Sequence, residues 1–350
     1  MKLKKLNCIF VISIFIFTYL LIKFVFKIVD WKTTDTPISK PNITDWRFKV
    51  NNTYALVFYG RRKQISILLP YLEANIKKNG GVLDKIIFAV RTSNKEDLIY
   101  LDKIMGQNKQ YFETVHYVFN TTYKELYTSL FDDDLIFKID DDIVYISNHT
   151  FENMINEYLT NELLFLSANV VNHPLLSYVH YKIGAILPFY EKTPYNFAKI
   201  DNETSFKNII ENNTYDSFSK WWTNPQYAAV AHESFLYHAV NNNLQIFDFK
   251  KWDFHYNDFI RWSINFILLR GKYVNKIKEW VPYNTDDEVI ISSEIPKLLN
   301  KHCYALGSAI VAHFSYYPQN EYLLNTTLLN RYKKLGIKNG KKVIKKKSPQ

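Results

Sequence analysis

The sequence predicts an α/β protein built on a mainly parallel sheet that is flanked by helices. In the first half of the chain, short apolar segments rich in β-branched residues alternate with longer segments of helical periodicity. Alternation at this spacing is typical of βαβ units, whose strands pair in parallel. Residues 51–330 are long for one domain, but their number is acceptable for an α/β protein.

The predicted elements of the first half follow one another in order. Strands are expected at Tyr54–Tyr59, Lys85–Val90, His116–Phe119 and Leu135–Ile139, and helices at Ile65–Lys77, Glu96–Met105 and Tyr123–Leu130. In open α/β sheets, ligands bind beyond the carboxyl ends of the strands. The segment Gly60, Arg61 and Arg62, which follows the first strand, is therefore predicted on the same rim as Asp140–Asp142.

The second half of the chain is less regular and is rich in aromatic residues. Tyr227–Val240 is predicted to be a helix, and Trp252–Leu269 a loop that leads into another helix. Aromatic faces with polar edges suit sugar rings. Packing in the core is nevertheless the simpler explanation for any single aromatic residue here.

Three consecutive carboxylates, Asp140, Asp141 and Asp142, stand between an apolar strand and the predicted exit strand Ile143–Tyr145. A strand interior cannot hold them, because each isolated buried carboxylate carries a large desolvation cost. At the carboxyl end of a strand, they can converge on a hard divalent cation. Alternation along an extended chain places Asp140 and Asp142 on one side and Asp141 on the other. A solvated acidic turn is the alternative, and the apolar strands on both sides favour the metal site.

A second acidic triplet, Asp132–Asp134, comes before its strand rather than after it. It is therefore predicted to form a turn on the opposite rim of the sheet.

The amino-terminal segment predicts a membrane anchor. Residues 8–29 form an apolar run, interrupted by Lys23 and Lys27, that is long enough to cross a bilayer if both lysines snorkel. A cleaved signal peptide is the alternative, but Phe24, Phe26 and Trp31 stand where small residues are expected. The predicted organisation is a cytoplasmic tail (1–7), a signal-anchor transmembrane helix (8–29), a stem (30–50), a catalytic domain (51–330) and a basic, disordered tail (331–350).

The net charge of +10 does not indicate a nucleic-acid partner. The first 32 residues carry six lysines and one aspartate, and the last 20 carry nine basic residues and no acidic one, so the remainder is net acidic. A folded nucleic-acid binder carries its basic patch on the fold.

Cys8 and Cys303 provide no disulfide framework. Asn-x-Ser/Thr sequons give weak support for a lumenal domain; they begin at Asn42, Asn51, Asn120, Asn148, Asn202, Asn212 and Asn325.

Three segments together resemble glycosyltransferases of the GT-A fold. They are Phe137–Ile143 with its D-x-D, Asn284–Val289 with a second acidic motif, and Ala312–Tyr316 with a histidine. The resemblance implies a GT-A-like sheet and transfer of a sugar from a nucleotide-diphosphate sugar to a hydroxyl of a glycan, protein or lipid. It also implies that Asp140, Asp142 and His313 bind Mn²⁺ or Mg²⁺. An imidazole ligand favours Mn²⁺, although His313 is as readily a structural histidine.

The remaining site residues are assigned by their chemistry. An inverting transferase needs one carboxylate to take the proton of the acceptor hydroxyl, and Asp287 is the first choice and Glu288 the second. Capping of a following helix by Asp286 or Thr285 is an alternative for this motif, and the two roles are compatible. The donor is predicted to contact Gly60, Arg61, Arg62, Asp140 and Asp141, although surface solvation explains the two arginines equally well.

The leading hypothesis is therefore a metal-dependent glycosyltransferase of the Golgi or endoplasmic reticulum membrane. It is predicted to be a single-pass type II protein with a lumenal catalytic domain and no nucleic-acid partner. A metal-dependent phosphotransferase or nuclease would also use clustered aspartates, but it would need more ligands. A membrane-tethered carbohydrate-binding module would keep the aromatic residues without needing the D-x-D.

Overall fold

One mixed sheet runs through the part of the chain that the computed structural model describes, namely residues 50–116, 126–127, 131–161, 163–186, 221–255, 259–280 and 286–336. Its strands are β1 (Thr53–Tyr59), β2 (Lys85–Val90), β3 (Phe112–His116), β4 (Leu135–Asp140), β5 (Ile143–Ile146), β6 (Phe165–Val171), β7 (Lys251–Asp253), β8 (Phe266–Arg270) and β9 (Tyr304–His313).

The strand order is β3-β2-β1-β4-β8-β6-β9-β5, and β7 pairs with β9 outside this path. Strands β3, β2, β1 and β4 pair in parallel, as do β6 and β9. Strand β8 is antiparallel to both β4 and β6, and β5 and β7 are antiparallel to β9. The predicted α/β class with a mixed, mainly parallel sheet and flanking helices is confirmed.

The helices connect the strands, and some of them begin at clear capping signals. Asn94 accepts the backbone N–H groups of Glu96 and Asp97, and Asn224 caps the helix that begins at Pro225 in the same way. The helices are α1 (Arg62–Ala74), α2 (Lys95–Gln107), α3 (Thr150–Asn161), α4 (Pro174–Lys182), α5 (Pro225–Val240), α6 (Gly271–Trp280), α7 (Asp287–Val289), α8 (Ile295–Leu299), α9 (Asn320–Leu324) and α10 (residues 328–336). A π-helical segment, Ile290–Glu294, joins α7 to α8.

The third strand begins earlier than predicted. Its described part is Phe112–His116, because Phe112 pairs with Ile86 and the strand follows β2 from that point; residues 117–119 of the predicted strand His116–Phe119 lie outside the described residues. The predicted helix Tyr123–Leu130 lies outside the described residues, apart from Leu126 and Tyr127, which are both buried.

The interpretation of Trp252–Leu269 as a loop leading into a helix is wrong. This part of the chain ends in strand β8, which lies between β4 and β6, and the next helix begins only at Gly271. Phe266–Leu269 is a run of buried apolar residues, as expected for a strand covered on both faces. Periodicity alone does not separate such a run from part of a buried helix.

Aromatic packing fixes β4 in the middle of the core. The ring of Phe137 meets that of Phe151 edge to face at a centroid distance of 4.7 Å, and that of Phe266 at 5.9 Å. At the amino end of β4, Asp134 accepts the backbone and side-chain N–H groups of Asn52, each at 3.1 Å. The triplet Asp132–Asp134 thus forms a turn on the rim opposite Asp140, as predicted.

None of the described helices is long and apolar enough to cross a membrane. The predicted tail, anchor and most of the stem lie in residues 1–49, outside the described residues. Residues 331–336 belong to α10, where Tyr332 is buried and Arg331 pairs with Glu233 at 2.6 Å. The described residues thus include six that the prediction assigned to the tail, and residues 337–350 lie outside the described residues.

Histidine 180 in α4 is expected to make the protein less stable in acid. Its Nε2 lies 2.6 Å from Oδ1 of Asn169, whose Nδ2 donates to two backbone carbonyls, so the imidazole donates from Nε2. Its Nδ1 is buried without a partner among the described residues, and burial lowers the pKa of His180 to about 3. The unfolded chain then takes up this proton at a higher pH than the folded one. The contribution of neutral His180 to the free energy of unfolding is therefore complete above a pH of about 6.5. About 2 kcal/mol of it is lost when the pH falls to near 5.

Urea unfolding of the parent and of His180→Gln near pH 7.5 and near pH 5 checks this expectation. Glutamine does not titrate and keeps an N–H that can donate to Asn169. The parent should lose about 2 kcal/mol more than the variant between the two pH values. Equal losses would contradict the assignment of a buried neutral imidazole.

Candidate active site

The predicted site segments meet at the carboxyl ends of β1, β2 and β4. Strands β1 and β4 pair in parallel with Phe58 opposite Asp140, and Arg91 follows β2, donating its backbone N–H to Tyr59. Nε of Arg61 lies 2.8 Å from Oδ1 of Asp141. The prediction that the arginine segment and the acidic corner share one rim is confirmed.

Antiparallel pairing brings the third predicted metal ligand to the same place. Strand β5 begins directly after Asp142, and its first residue, Ile143, lies opposite His313 at the end of β9. The backbone N–H of Phe314 donates to the carbonyl of Asp142 at 2.8 Å. As a result, Asp140, Asp142 and His313 each offer a ligand atom, and these atoms lie within 4.8 Å of one another.

Asp142 is the most deeply buried acid of this group. Its residue is 1 % exposed, and neither carboxylate oxygen has a hydrogen-bond partner of acceptable geometry among the described residues. Nη2 of Arg61 and Nε2 of His313 nevertheless each lie 3.2 Å from its Oδ2. Burial alone would raise the pKa of Asp142, but the charges of Arg61 and His313 outweigh it and hold the pKa below its ordinary value. Asp142 is thus an ionised carboxylate with unused acceptor capacity.

Asp141 is held by Arg61, which donates to its Oδ1 from both Nε and Nη2. Burial raises the pKa of Asp141 to about 6, against the opposing effect of Arg61. A Cβ atom at position 60 would lie 3.2 Å from Oδ2 of Asp141. Glycine at position 60 therefore lets β1 approach the acidic corner closely.

Arg62 points to a different group of residues. Its guanidinium pairs with Glu96 and with Asp97, the latter at 3.0 Å, both in the first turn of α2. Arg62 does not line the cavity described below, whereas Gly60 and Arg61 do.

The second acidic motif faces the metal group across the rim. Asp286 caps α7 by accepting the backbone N–H of Glu288 at 3.0 Å, so the capping alternative applies to Asp286. Asp287 is buried and accepts the hydroxyl of Tyr127 at 3.0 Å. Burial raises the pKa of Asp287, while Lys138 and the Tyr127 hydroxyl reduce that rise. Asp287 is thus a buried acceptor whose proton affinity exceeds that of an ordinary aspartate.

Glu288 is bound on both carboxylate oxygens. Oε1 accepts from Nε of Arg261 at 2.8 Å, and Oε2 accepts from the backbone N–H of Ile264 at 3.3 Å. Burial raises the pKa of Glu288 against the charge of Arg261. Because these partners occupy Glu288, Asp287 is the freer acceptor of the two.

Lys138, a buried lysine within β4, is not among the site residues predicted from the sequence. Its Nζ donates to Oδ1 of Asp140 and, at 2.9 Å, to the carbonyl of Ile264. Burial alone would lower the pKa of Lys138, but the carboxylates of Asp140 and Asp287 outweigh it and raise the pKa. The sequence did contain a signal for this role. Side chains two residues apart in a strand point to the same side, so a lysine two residues before Asp140 in an otherwise apolar strand is expected beside that aspartate.

Several of these residues line an open cavity of about 400 Å³, within the range of about 300–1,000 Å³ found for ligand pockets. It is lined by Phe58, Tyr59, Gly60, Arg61, Arg91, Lys138, Asp140, Asp141, Ile264, Asp286, Asp287 and Glu288. The lining combines the basic side chains and the acidic corner at the ends of β1, β2 and β4 with the carboxylates of the second acidic motif. The arrangement suits an anionic ligand held next to a cation, with a buried carboxylate nearby.

Comparison with known proteins gives little further information. No family model matches the chain, and no curated protein matches it. Among solved structures, it is similar to 4-diphosphocytidyl-2C-methyl-D-erythritol synthase from Anaerococcus prevotii, with 10% sequence identity and a TM-score of 0.39. The match covers 81% of this chain and 96% of the other. A similarity of this size supports no argument about activity.

Proposed function

We propose that the protein is a divalent-metal-dependent glycosyltransferase of the GT-A class, which moves a sugar from a nucleotide-diphosphate sugar to an acceptor hydroxyl. The observation that carries the proposal is the convergence of Asp140, Asp142 and His313 beside a cavity that also holds a buried second carboxylate, Asp287. The first group suits a metal-bound diphosphate, and the second suits proton removal from a hydroxyl.

The residues present fit a divalent cation. Oδ1 of Asp142 is buried without a hydrogen-bond partner among the described residues, and Oδ2 has only Nη2 of Arg61 and Nε2 of His313 near it, each at 3.2 Å. Two carboxylates and one imidazole form a donor set that suits Mn²⁺ better than Mg²⁺. When bound, the metal would supply positive charge that offsets the negative charge gathering on the leaving diphosphate.

The chain itself supplies the other groups that a transferase needs. Arg61 and Arg91 line the cavity at the ends of β1 and β2, where their positive charges favour a diphosphate. Asp287, with its raised pKa, accepts the proton of the acceptor hydroxyl in an inverting reaction. The Tyr127 hydroxyl orients the Asp287 carboxylate for this step.

The proposal includes the cellular setting predicted from the sequence. Residues 8–29 anchor the protein in the Golgi or endoplasmic reticulum membrane, and the catalytic domain faces the lumen. This part rests on the apolar amino-terminal run and the sequons alone.

The other two hypotheses are less well supported. Two-metal phosphotransferases and nucleases assemble further carboxylates around a pair of ions. The described residues hold one group of three ligands, and the neighbouring Asp141 is bound by Arg61. A carbohydrate-binding module does not require a buried carboxylate with free acceptor capacity such as Asp142.

Binding of nucleoside diphosphates and nucleotide sugars with and without Mn²⁺ tests the proposal. By calorimetry, at least one of them should bind about tenfold more tightly with Mn²⁺, equivalent to about 1.4 kcal/mol. If Mn²⁺ strengthens binding of none of them, the transferase proposal is wrong. Metal-independent binding of free glycans would favour the binding module, and metal-dependent phosphodiester cleavage would favour the nuclease.

A further inference from the structure

A chain of side-chain hydrogen bonds leads from Tyr316 to Asp140. The Tyr316 hydroxyl donates to Oδ1 of Asn265 at 3.1 Å, and Nδ2 of Asn265 donates to Oδ2 of Asp140 at 3.0 Å. The backbone joins the same two residues, because the N–H of Asp140 donates to the carbonyl of Asn265 at 2.9 Å. Asn265 is thus fixed at three atoms, and its amide presents a donor to Asp140.

The other oxygen of Asp140 is held from the opposite side. Oδ1 accepts from Nζ of Lys138, which the carbonyl of Ile264 also holds. Each carboxylate oxygen therefore has one donor, and each keeps a lone pair for a further ligand. Two donors, one on each oxygen, fix the plane of the carboxylate.

Tyr316 also contacts the histidine of the metal group. The rings of His313 and Tyr316 are 4.5 Å apart between centroids, with an angle of 56° between their planes. The same tyrosine therefore packs on His313 and, through Asn265, sets the orientation of Asp140. It connects β9 with β4, the two strands that carry these ligands.

We propose that Tyr316 and Asn265 are positioning residues for the metal site, because their hydrogen bonds fix the Asp140 carboxylate relative to His313. The inference rests on the proposed function, since it requires that Asp140 and His313 bind a cation. Residues that orient metal ligands in this way typically change metal affinity by 10- to 100-fold when they are mutated. If the two residues only satisfy buried polar groups, their loss should affect stability and leave metal affinity unchanged.

Tyr316→Phe separates the two roles, because it removes one hydroxyl and keeps the ring on His313. Binding of Mn²⁺ alone to the full chain, followed by electron paramagnetic resonance, should be about tenfold weaker than in the parent. The matched control is Tyr158→Phe. Tyr158 is equally a hydrogen-bonded tyrosine, donating to the carbonyl of Leu164 at 3.1 Å and accepting the N–H of Arg270 at 3.0 Å. This control should lower the thermal midpoint and leave Mn²⁺ affinity at the parent value.

Asn265→Ala provides a second variant that does not depend on Tyr316→Phe folding. It should weaken Mn²⁺ binding at least as much, and the double variant should add little, because both changes break one path. If the parent binds Mn²⁺ and both single variants bind it equally well, the positioning role is wrong while the proposed function stands. An equal loss in Tyr158→Phe would also overturn the positioning role. If the parent binds no Mn²⁺, the metal assignment in the proposed function fails first.

Discussion

Asp142→Asn is expected to reduce metal-dependent sugar transfer by on the order of a thousandfold or more. Asp142 is buried, ionised and without a hydrogen-bonded oxygen among the described residues, so an amide in its place removes a charged ligand that no neighbour replaces. Asparagine has nearly the same volume, and its oxygen can face Arg61 and His313, so the fold should persist. The loss of a buried charge beside Arg61 should cost about 1–3 kcal/mol of stability. Transfer rates over a Mn²⁺ titration, together with urea unfolding, measure both effects.

Asp133→Asn is the matched control for this substitution. Asp133 belongs to the acidic turn at the opposite end of β4, where its side chain is 69% exposed and pairs with Arg270. Exposed ion pairs of this kind contribute little, so this variant should transfer sugar and bind Mn²⁺ like the parent. If Asp142→Asn retains Mn²⁺-stimulated transfer, the assignment of Asp142 as a metal ligand is wrong.

The local sequence was sufficient to predict the position of the acidic corner, Asp140–Asp142, in the fold. An apolar run that ends in consecutive aspartates predicts a strand whose carboxyl end lies at the rim of the sheet, because charges are excluded from the strand interior. Side chains alternate between the two sides of a strand, which predicts that Asp140 and Asp142 point the same way. The βα alternation then predicts parallel pairing, which brings the end of β1 to Asp140. These inferences need only neighbouring residues and general rules of sheet geometry.

The rest of the site depends on pairing between distant segments. Strand β8 pairs with β4 across more than a hundred residues, and only this pairing delivers Asn265 to Asp140. Nothing around Asn265 in the sequence distinguishes it from other asparagines. The pairing of β5 with β9 likewise explains the position of His313, which the sequence indicated by resemblance alone. When a strand such as β8 pairs in antiparallel fashion with strands far away in the sequence, the hydrophobic pattern of the paired strands does not reveal the pairing.

Asp287→Asn is expected to lower the turnover number by about 10²- to 10⁴-fold, the usual contribution of a general base, while donor affinity changes little. Asp287 lines the same cavity as Arg61 and is not one of the three grouped ligands, although the charge of Asp140 contributes to its raised pKa. Asparagine can still accept the Tyr127 hydroxyl, so the local structure should be kept. What it loses is the ability to take a proton. Single-turnover rates and calorimetric binding of the donor with Mn²⁺ separate the two effects.

The neighbouring residue provides the control for Asp287→Asn. Asp286 caps α7 at the cavity edge and pairs with Arg261 at 2.7 Å, and its side chain is 46% exposed; asparagine caps a helix as well as aspartate does and its oxygen can still accept from Arg261, so Asp286→Asn should keep most of the parent turnover. If Asp287→Asn instead loses donor binding, Asp287 belongs to the donor pocket and the base lies elsewhere. If Asp287→Asn keeps its turnover and Glu288→Gln loses it, Glu288 is the base despite its two bonded oxygens, and Arg261 must then release it when the acceptor binds. Full turnover in both variants would exclude a base in this motif, which is the result expected of a retaining enzyme.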